Sequence, residues 1–220
     1  MSQVRLIAFT QPIELEGVQT GEELVAYCAR VSNPANQANH DTAPRLLSYL
    51  VRNQHWSPFE MAHAVIEIKT TRDIARQILR HRSFSFQEFS QRYAEVVAEP
   101  VLREARLQDT TNRQNSTESQ DFALRAWWDD QQAWLAEQAM KVYQDALNQG
   151  IAKEVARAVL PEGLTPSHLY MSGSVRSWIH YIQLRTGNGT QKEHREIATM
   201  CKLALLHVMP SLTEMLNEAK

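Results

Sequence analysis

RDIARQILRHRSFSFQEFSQRY, residues Arg72 to Tyr93, changes period halfway along, and that change decides how the chain is read. At about 100° per residue the first half makes a helix with Ile74, Ala75, Ile78 and Leu79 on one apolar face. Arg72, Arg76 and Arg80 form an i, i+4, i+8 row on the other face, with Gln77 beside them. Stacked guanidiniums repel unless an anion lies opposite, and only Asp73 is near in sequence. The plain alternative is a solvated helix face. Arg80 and Arg82 would point about 160° apart on a continuing helix. Either the helix ends there or the two serve different sites. Beyond, Phe84 and Phe86 alternate with Ser83, Ser85 and Gln87. If this part is extended, Glu88, Ser90 and Arg92 share a face. Alternatively, Glu88 and Arg92 form a helical i, i+4 pair. Polar groups interleaved so densely with Phe suggest a lined pocket.

Bulk properties bound the rest. The chain has 220 residues, 43% of them hydrophobic, and a net charge of −2. That supports one large domain or two small ones and gives no overall charge bias toward nucleic acid. The two cysteines, Cys28 and Cys201, form no CxxC and suggest a reducing compartment. No signal sequence or long apolar run is evident, so a cytoplasmic protein without membrane association is expected.

In chain order, Val4 to Phe9 predicts a strand. Residues 21–31 predict a helix with Leu24, Cys28 and Val31 inward, broken by Ser32-Asn33-Pro34. Pro44 to Asn53 predicts a second helix with a Leu46, Leu47 and Leu50 stripe. Residues 54–60 read as a turn, in which Ser57 is a turn hydroxyl unless it has a ligand. Ala64 to Lys69 alternates as a strand, with Ala64, Ile66 and Ile68 on one side. Residues 94–104 could give another strand. Residues 103–121 read as a polar surface loop. Residues 122–149 carry the longest helical pattern, whose aromatics suit a core or a subunit interface better than a cofactor stack. Residues 151–160 are a short helical stretch holding Arg157, and Arg185 ends a further helix that carries Arg176 and His180 at i, i+4. At that place Arg185 could simply complement the helix dipole. Residues 191–219 form the last helical region, interrupted near Pro210. The expected architecture is α+β, a helix-rich single domain over residues 1–220 with a small, mainly antiparallel sheet.

Several chemistries lack their motifs. No GxGxxG, Walker loop or HExxH is present, and no His pairs with Cys at zinc spacing, so no metal is expected. Cys28 and Cys201 lie in apolar helical patterns and read as structural. Ser90 has no His and Asp arranged behind it and reads as a ligand-positioning hydroxyl, not a nucleophile.

Arg80-His81-Arg82, then seven residues, then Ser90 resembles the signature of the flavin-dependent thymidylate synthases. Glu88, Arg92 and Tyr93 extend the likeness. So do Ser57-Pro58-Phe59-Glu60, the Ala-Arg-x-x-Leu-Pro element at Arg157, and the run Ser174 to Arg185. The likeness covers roughly residues 50–95 and 155–200. Departures are Gln87 for Asn, Met61 for His, Ser174 for Asn, and His194 where an aliphatic residue is common. His180 fills a position that takes Asn or His.

The resemblance implies methylation of dUMP to dTMP. Methylenetetrahydrofolate would be the one-carbon donor, and FAD reduced by NADPH the hydride carrier. It implies a homotetramer whose active sites are shared between subunits. It assigns Gln77, Arg80, Glu88, Ser90, Arg92, Arg157 and Arg185 to dUMP, with Arg185 activating the uracil. To FAD it assigns Ser57, Arg80, His81, Arg82, Glu88, Ser174, Arg176 and His180. A nucleotide- or nucleic-acid-binding module without turnover is the alternative of a different class. It would be colourless and strongly salt-dependent in binding.

Overall fold

The computed structural model describes residues 2–97 and 99–217. Strand β1 (Gln3–Phe9) leads to helices α1 (Gly21–Ala29) and α2 (Ala43–Arg52). A short 3₁₀ turn, Ser57–Glu60, enters strand β2 (His63–Thr71), which passes without a loop into helix α3 (Arg72–Ile78). Strand β3 (Ser85–Glu88) follows, then a small hairpin of β4 (Arg106–Gln108) and β5 (Ser116–Glu118). Helix α4 (Phe122–Asn148) and one-turn helix α5 (Lys153–Ala156) precede strand β6 (Pro166–Ser174). Helices α6 (Val175–Arg185), α7 (Lys192–Val208) and α8 (Thr213–Asn217) complete the chain.

The main sheet is antiparallel, in the order β1-β2-β6-β3. Its centre is the β2/β6 pair, in register over its full length from His63↔Ser174 to Thr71↔Pro166. Alternation puts Ala64, Ile66 and Ile68 of β2 and Leu169 and Met171 of β6 in the core, all fully buried. Leu47 of α2, Trp178, Ile179 and Ile182 of α6, and Ile197 and Cys201 of α7 belong to the same cluster. The two central strands end by running directly into α3 and α6, so both helices start at fixed points on the sheet. Ser174 caps α6 by accepting from the Ser177 backbone N–H. Among the described residues no helix is long and apolar enough to cross a membrane.

The structure departs from the sequence reading in several places. Strand β6 lies in a stretch the reading left without an element, although Ser167-His168-Leu169-Tyr170-Met171 alternates buried and less buried positions. Residues 94–104 make no strand among the described residues. Part of the expected 103–121 loop is the β4/β5 hairpin. Its turn is held by the Asp109 carboxylate, which accepts from the backbone N–H groups of Asn112 and Thr111 and from the Thr111 and Asn115 side chains. Those bonds hold the acid far below the usual carboxylate range.

Helix α1 buries Gly21, Val25 and Ala26, not the predicted face; Leu24 and Cys28 are only partly covered and Val31, beyond the helix end, is exposed. Gly21 explains the rotation. A Cβ there would stand 2.3 Å from the Phe9 ring, so the helix start is pressed onto β1. Helix α3 ends at Ile78, which removes the angular argument for separating Arg80 from Arg82. Its arginines do not form one free row either. Arg72 is buried with Glu88 3.9 Å away, and Arg76 pairs with Glu162.

Helix α4 buries Gln132, Ala136 and Tyr143. Its large residues are mostly outside this chain's core: Phe122, Trp127, Trp134, Leu135 and Val142 are all exposed.

Candidate functional site

Three groups of side chains gather the sequence-predicted residues. The first lies where α3 ends. His81 follows that end, its backbone N–H bonded to the Ile78 carbonyl. Arg185, the last residue of α6, donates from Nε to His81 Nε2 at 2.9 Å. An imidazole nitrogen that accepts from a guanidinium must be unprotonated. The environment agrees: burial, and then the Arg185 charge, bring His81 down to about 4. The ring stands edge-on to Tyr181, centroids 4.8 Å apart. Arg185 therefore faces a neutral ring. No carboxylate among the described residues forms an ion pair with it. Gln77, one turn back on α3, donates to Gln191 Oε1 at 2.7 Å and has His194 at its own oxygen. Arg80 and Arg82 are exposed on either side of His81.

The second group lies around the end of β3. Glu88 accepts from the Ser167 hydroxyl at 2.7 Å, with Arg72 3.9 Å away. The strand stops at Glu88, and Ser90 opens a turn whose carbonyl accepts from Tyr93 N. The extended reading thus fails beyond Glu88. So does the Glu88–Arg92 pair, because Arg92 binds Glu154 at 2.9 Å instead. Arg157 donates to the backbone carbonyl of the same Glu154. Residue 154 therefore draws Arg92 and Arg157 together from segments far apart in sequence.

The third group surrounds the start of α6. Arg176 pairs with Glu60 at 2.9 Å. The Ser174 hydroxyl and then Arg176 hold the Glu60 carboxyl below its usual range. His180, one turn along α6, packs on Trp56 with centroids 4.5 Å apart. Burial, and then Arg176, lower its basicity. Ser57 is exposed in the adjoining 3₁₀ turn. Ser177 ties this group to the first by donating to the Ser83 carbonyl, next to Arg82.

The sequence reading assigned no ligand role to Trp56, Glu60, Glu154, Ser167 or Tyr181, all of which hold assigned residues in place. Glu60 alone carried a signal, as part of the Ser-Pro-Phe-Glu match. Two cavities of about 580 and 720 Å³ lie against Val96, Val97 and Leu102. None of the assigned residues lines either one; of their partners only Ser167 does. Apart from buried Ser174, the assigned side chains are exposed or partly exposed.

A thiol nucleophile has no support. Cys201 is completely buried and its thiol is pushed up by that burial; Cys28 is shifted the same way.

The third group, together with the two arginines that flank His81, has chemistry that suits a flavin dinucleotide. Exposed Arg80, Arg82 and Arg176 can meet a pyrophosphate, and the Trp56/His180 pair offers a flat face.

Comparison with known proteins gives consistent results. The family profile described as Thymidylate synthase complementing protein matches residues 14–211. A probable flavin-dependent thymidylate synthase of Paramecium bursaria Chlorella virus 1 is 53% identical over 213 residues, 97% of this chain and 98% of its own length. A flavin-dependent thymidylate synthase of Synechocystis sp. is 49% identical over 216 residues, 97% of this chain and 99% of that protein. Among solved structures, the UMP/dUMP methylase PolB of Streptomyces cacaoi bound with 5-Br dUMP superposes with a TM-score of 0.84. It is 28% identical and covers 97% of this chain and 94% of PolB.

Proposed function

The chain belongs to the flavin-dependent thymidylate synthase family, and on that premise we propose that it methylates dUMP to dTMP with methylenetetrahydrofolate as one-carbon donor and NADPH as reductant. The observation that carries this reading is Arg185. A guanidinium held by a neutral histidine, with no carboxylate to quench it, is ready for charge that develops on a substrate. Uracil accumulates such charge on its ring nitrogen and carbonyl oxygens when it is activated at carbon. Arg185 stabilises that charge through the N–H groups of its guanidinium.

The remaining residues bind and orient. Arg92 pairs with the exposed Glu154 carboxylate, which an incoming phosphate can replace, and Arg157 is held alongside by the Glu154 backbone carbonyl. Ser90, on the neighbouring turn, adds a hydroxyl. Gln77, Arg80 and Glu88 complete the nucleotide side, Glu88 being oriented by Ser167. Ser57, Arg80, His81, Arg82, Glu88, Ser174, Arg176 and His180 would hold FAD. Bound FAD supplies the two-electron redox chemistry. The protein's part is to present the two ligands to each other and to keep Arg185 aimed.

The exposure of the assigned side chains supports a homotetramer with shared active sites. So does the uncovered aromatic surface of α4, since large exposed apolar patches mark interfaces. Sedimentation should give a tetramer, and a fully active monomer would remove the shared-site reading. With both thiols free we place the protein in the cytoplasm.

The central test is dTMP formation by purified, yellow protein supplied with dUMP, methylenetetrahydrofolate and NADPH. Protein that binds nucleotide but gives no dTMP would support the module without turnover. A subsidiary test separates the two ligands. Arg82 adjoins Ser83, which Ser177 links to the Glu60/Arg176 group. Arg82→Ala should therefore lower flavin content per chain more than it lowers dUMP affinity. The opposite result would move Arg82 to the nucleotide side.

A further inference from the structure

Behind His81 runs a chain of hydrogen bonds whose direction is fixed from one end. Glu193 is gripped by Arg103 at 3.0 Å and Arg106 at 2.6 Å. Burial alone would raise its pKa, but its backbone hydrogen bond, Arg103, Gln191 and Arg106 together bring it below the usual value. As a carboxylate it can only accept. Gln191 Nε2, at 2.9 Å, must therefore donate to it, which leaves Gln191 Oε1 as an acceptor. That oxygen lies 2.7 Å from Gln77 Nε2, so Gln77 donates with its nitrogen and turns its own oxygen to His194. His194 Nδ1, 3.3 Å away, must carry the proton. Its Nε2 then accepts from the Tyr181 hydroxyl at 3.2 Å.

Every link has one permitted polarity. Reversing Gln77 would set oxygen against oxygen at Gln191. The ring of His194 is completely buried. Burial, then Arg185, then His81 hold it at about 3, so it stays neutral and does not disturb the pattern. An aliphatic side chain in its place could not make either bond.

We infer that His194 is a positioning residue of the nucleotide site: its Nδ1–H locks the Gln77 amide so that Gln77 meets the bound nucleotide as an N–H donor to an oxygen acceptor. This rests on the assignment of Gln77 to dUMP given above. Gln77 has a second amide N–H beyond the one given to Gln191, and that is the group it offers. The acceptor is a phosphate oxygen or a ring carbonyl. An amino group in the same place, itself a donor, is rejected.

Two measurements test this, and they fail independently. In the FAD-loaded wild type, ring ¹⁵N shifts of His194, assigned by their loss in His194→Gln, should show the Nδ1–H neutral tautomer at pH 7. An Nε2–H ring or an imidazolium overturns the inference whatever the enzyme does. Next, His194→Leu should weaken dUMP binding roughly tenfold, the loss expected for one directed hydrogen bond. Flavin content should stay close to wild type, and the loss should be larger in dUMP affinity than in turnover at saturating dUMP. His194→Gln should restore affinity, because its amide can donate to Gln77 and accept from Tyr181. Equal dUMP affinity in wild type and His194→Leu, or no rescue by His194→Gln, overturns the inference. Should His194→Leu fail to fold, the tautomer and the His194→Gln affinity still decide. Deoxyuridine separates the two acceptors: a loss seen with dUMP alone points to phosphate, and a loss seen with both points to the ring carbonyl. A wild type with the expected tautomer but no dUMP binding would sink the functional reading instead.

Discussion

Arg185→Lys should retain the fold and the bound FAD but lose on the order of 10²–10³ in the rate of dTMP formation. The argument starts from two possible roles for a cation at the end of α6. If Arg185 only complements the helix dipole, a lysine supplies the same charge, and the exposed interaction is worth about 0.3–1 kcal/mol in either case. The geometry indicates more. Nε is already committed to His81 at 2.9 Å, which sets the plane of the guanidinium and leaves its two terminal nitrogens as a fork. A lysine ammonium can satisfy His81 or reach the ligand, but it cannot do both in one plane. Turnover should therefore collapse, while dUMP affinity falls much less, because the lost interaction strengthens as charge develops. Single-turnover rates with saturating dUMP give the measurement. A variant with normal rates would return Arg185 to the dipole role and leave the activating group unassigned.

What could be seen in the sequence, and what could not, divides along contact range. Residues whose role follows from local pattern or from a family likeness were visible: the alternation of β2, the Leu stripe of α2, Arg185 at a helix end, and the Arg80-His81-Arg82 triplet. Periodicity selects the wrong face of α1 because it cannot see Gly21 pressed onto Phe9. Strand β6 is hard to see in the sequence although it pairs with both β2 and β3. Its alternation is diluted by Ser167, Ser172 and Gly173, small residues that carry little hydrophobic signal. Gly173 is small for a reason found only in space: a Cβ there would lie 2.5 Å from the Phe84 ring. The Arg185–His81, Gln77–His194 and Arg92–Glu154 contacts join residues 104, 117 and 62 positions apart, so no spacing rule could reveal them. The same holds for Arg72. Its place in an i, i+4, i+8 row suggested an exposed face, yet β2 runs straight into α3 and buries the first turn.

Trp178→Ala should cost about 3–5 kcal/mol of stability, the range for removing a fully buried large aromatic. Trp178 is completely covered, between the sheet and the remaining helices. Its indole Nε1 donates to the Ala64 carbonyl at 3.2 Å, and its ring meets Phe84 and Tyr181 edge-on at 4.8 and 5.8 Å. Those two rings in turn stand edge-on to His81. The cavity left by the substitution therefore lies one layer behind the residue that orients Arg185. Some of the lost packing will be recovered by collapse of Phe84 and Tyr181 into the space, and that movement carries His81 with it. Two losses should accordingly appear together: a lower urea midpoint, and reduced turnover in conditions where the variant remains folded. Trp178→Phe keeps a ring in the layer but removes the indole donor. It should lose less stability than Trp178→Ala and preserve more of the turnover. If Trp178→Ala is destabilised yet fully active while folded, the aromatic layer supports the core alone and His81 is aimed by its own bond to Arg185.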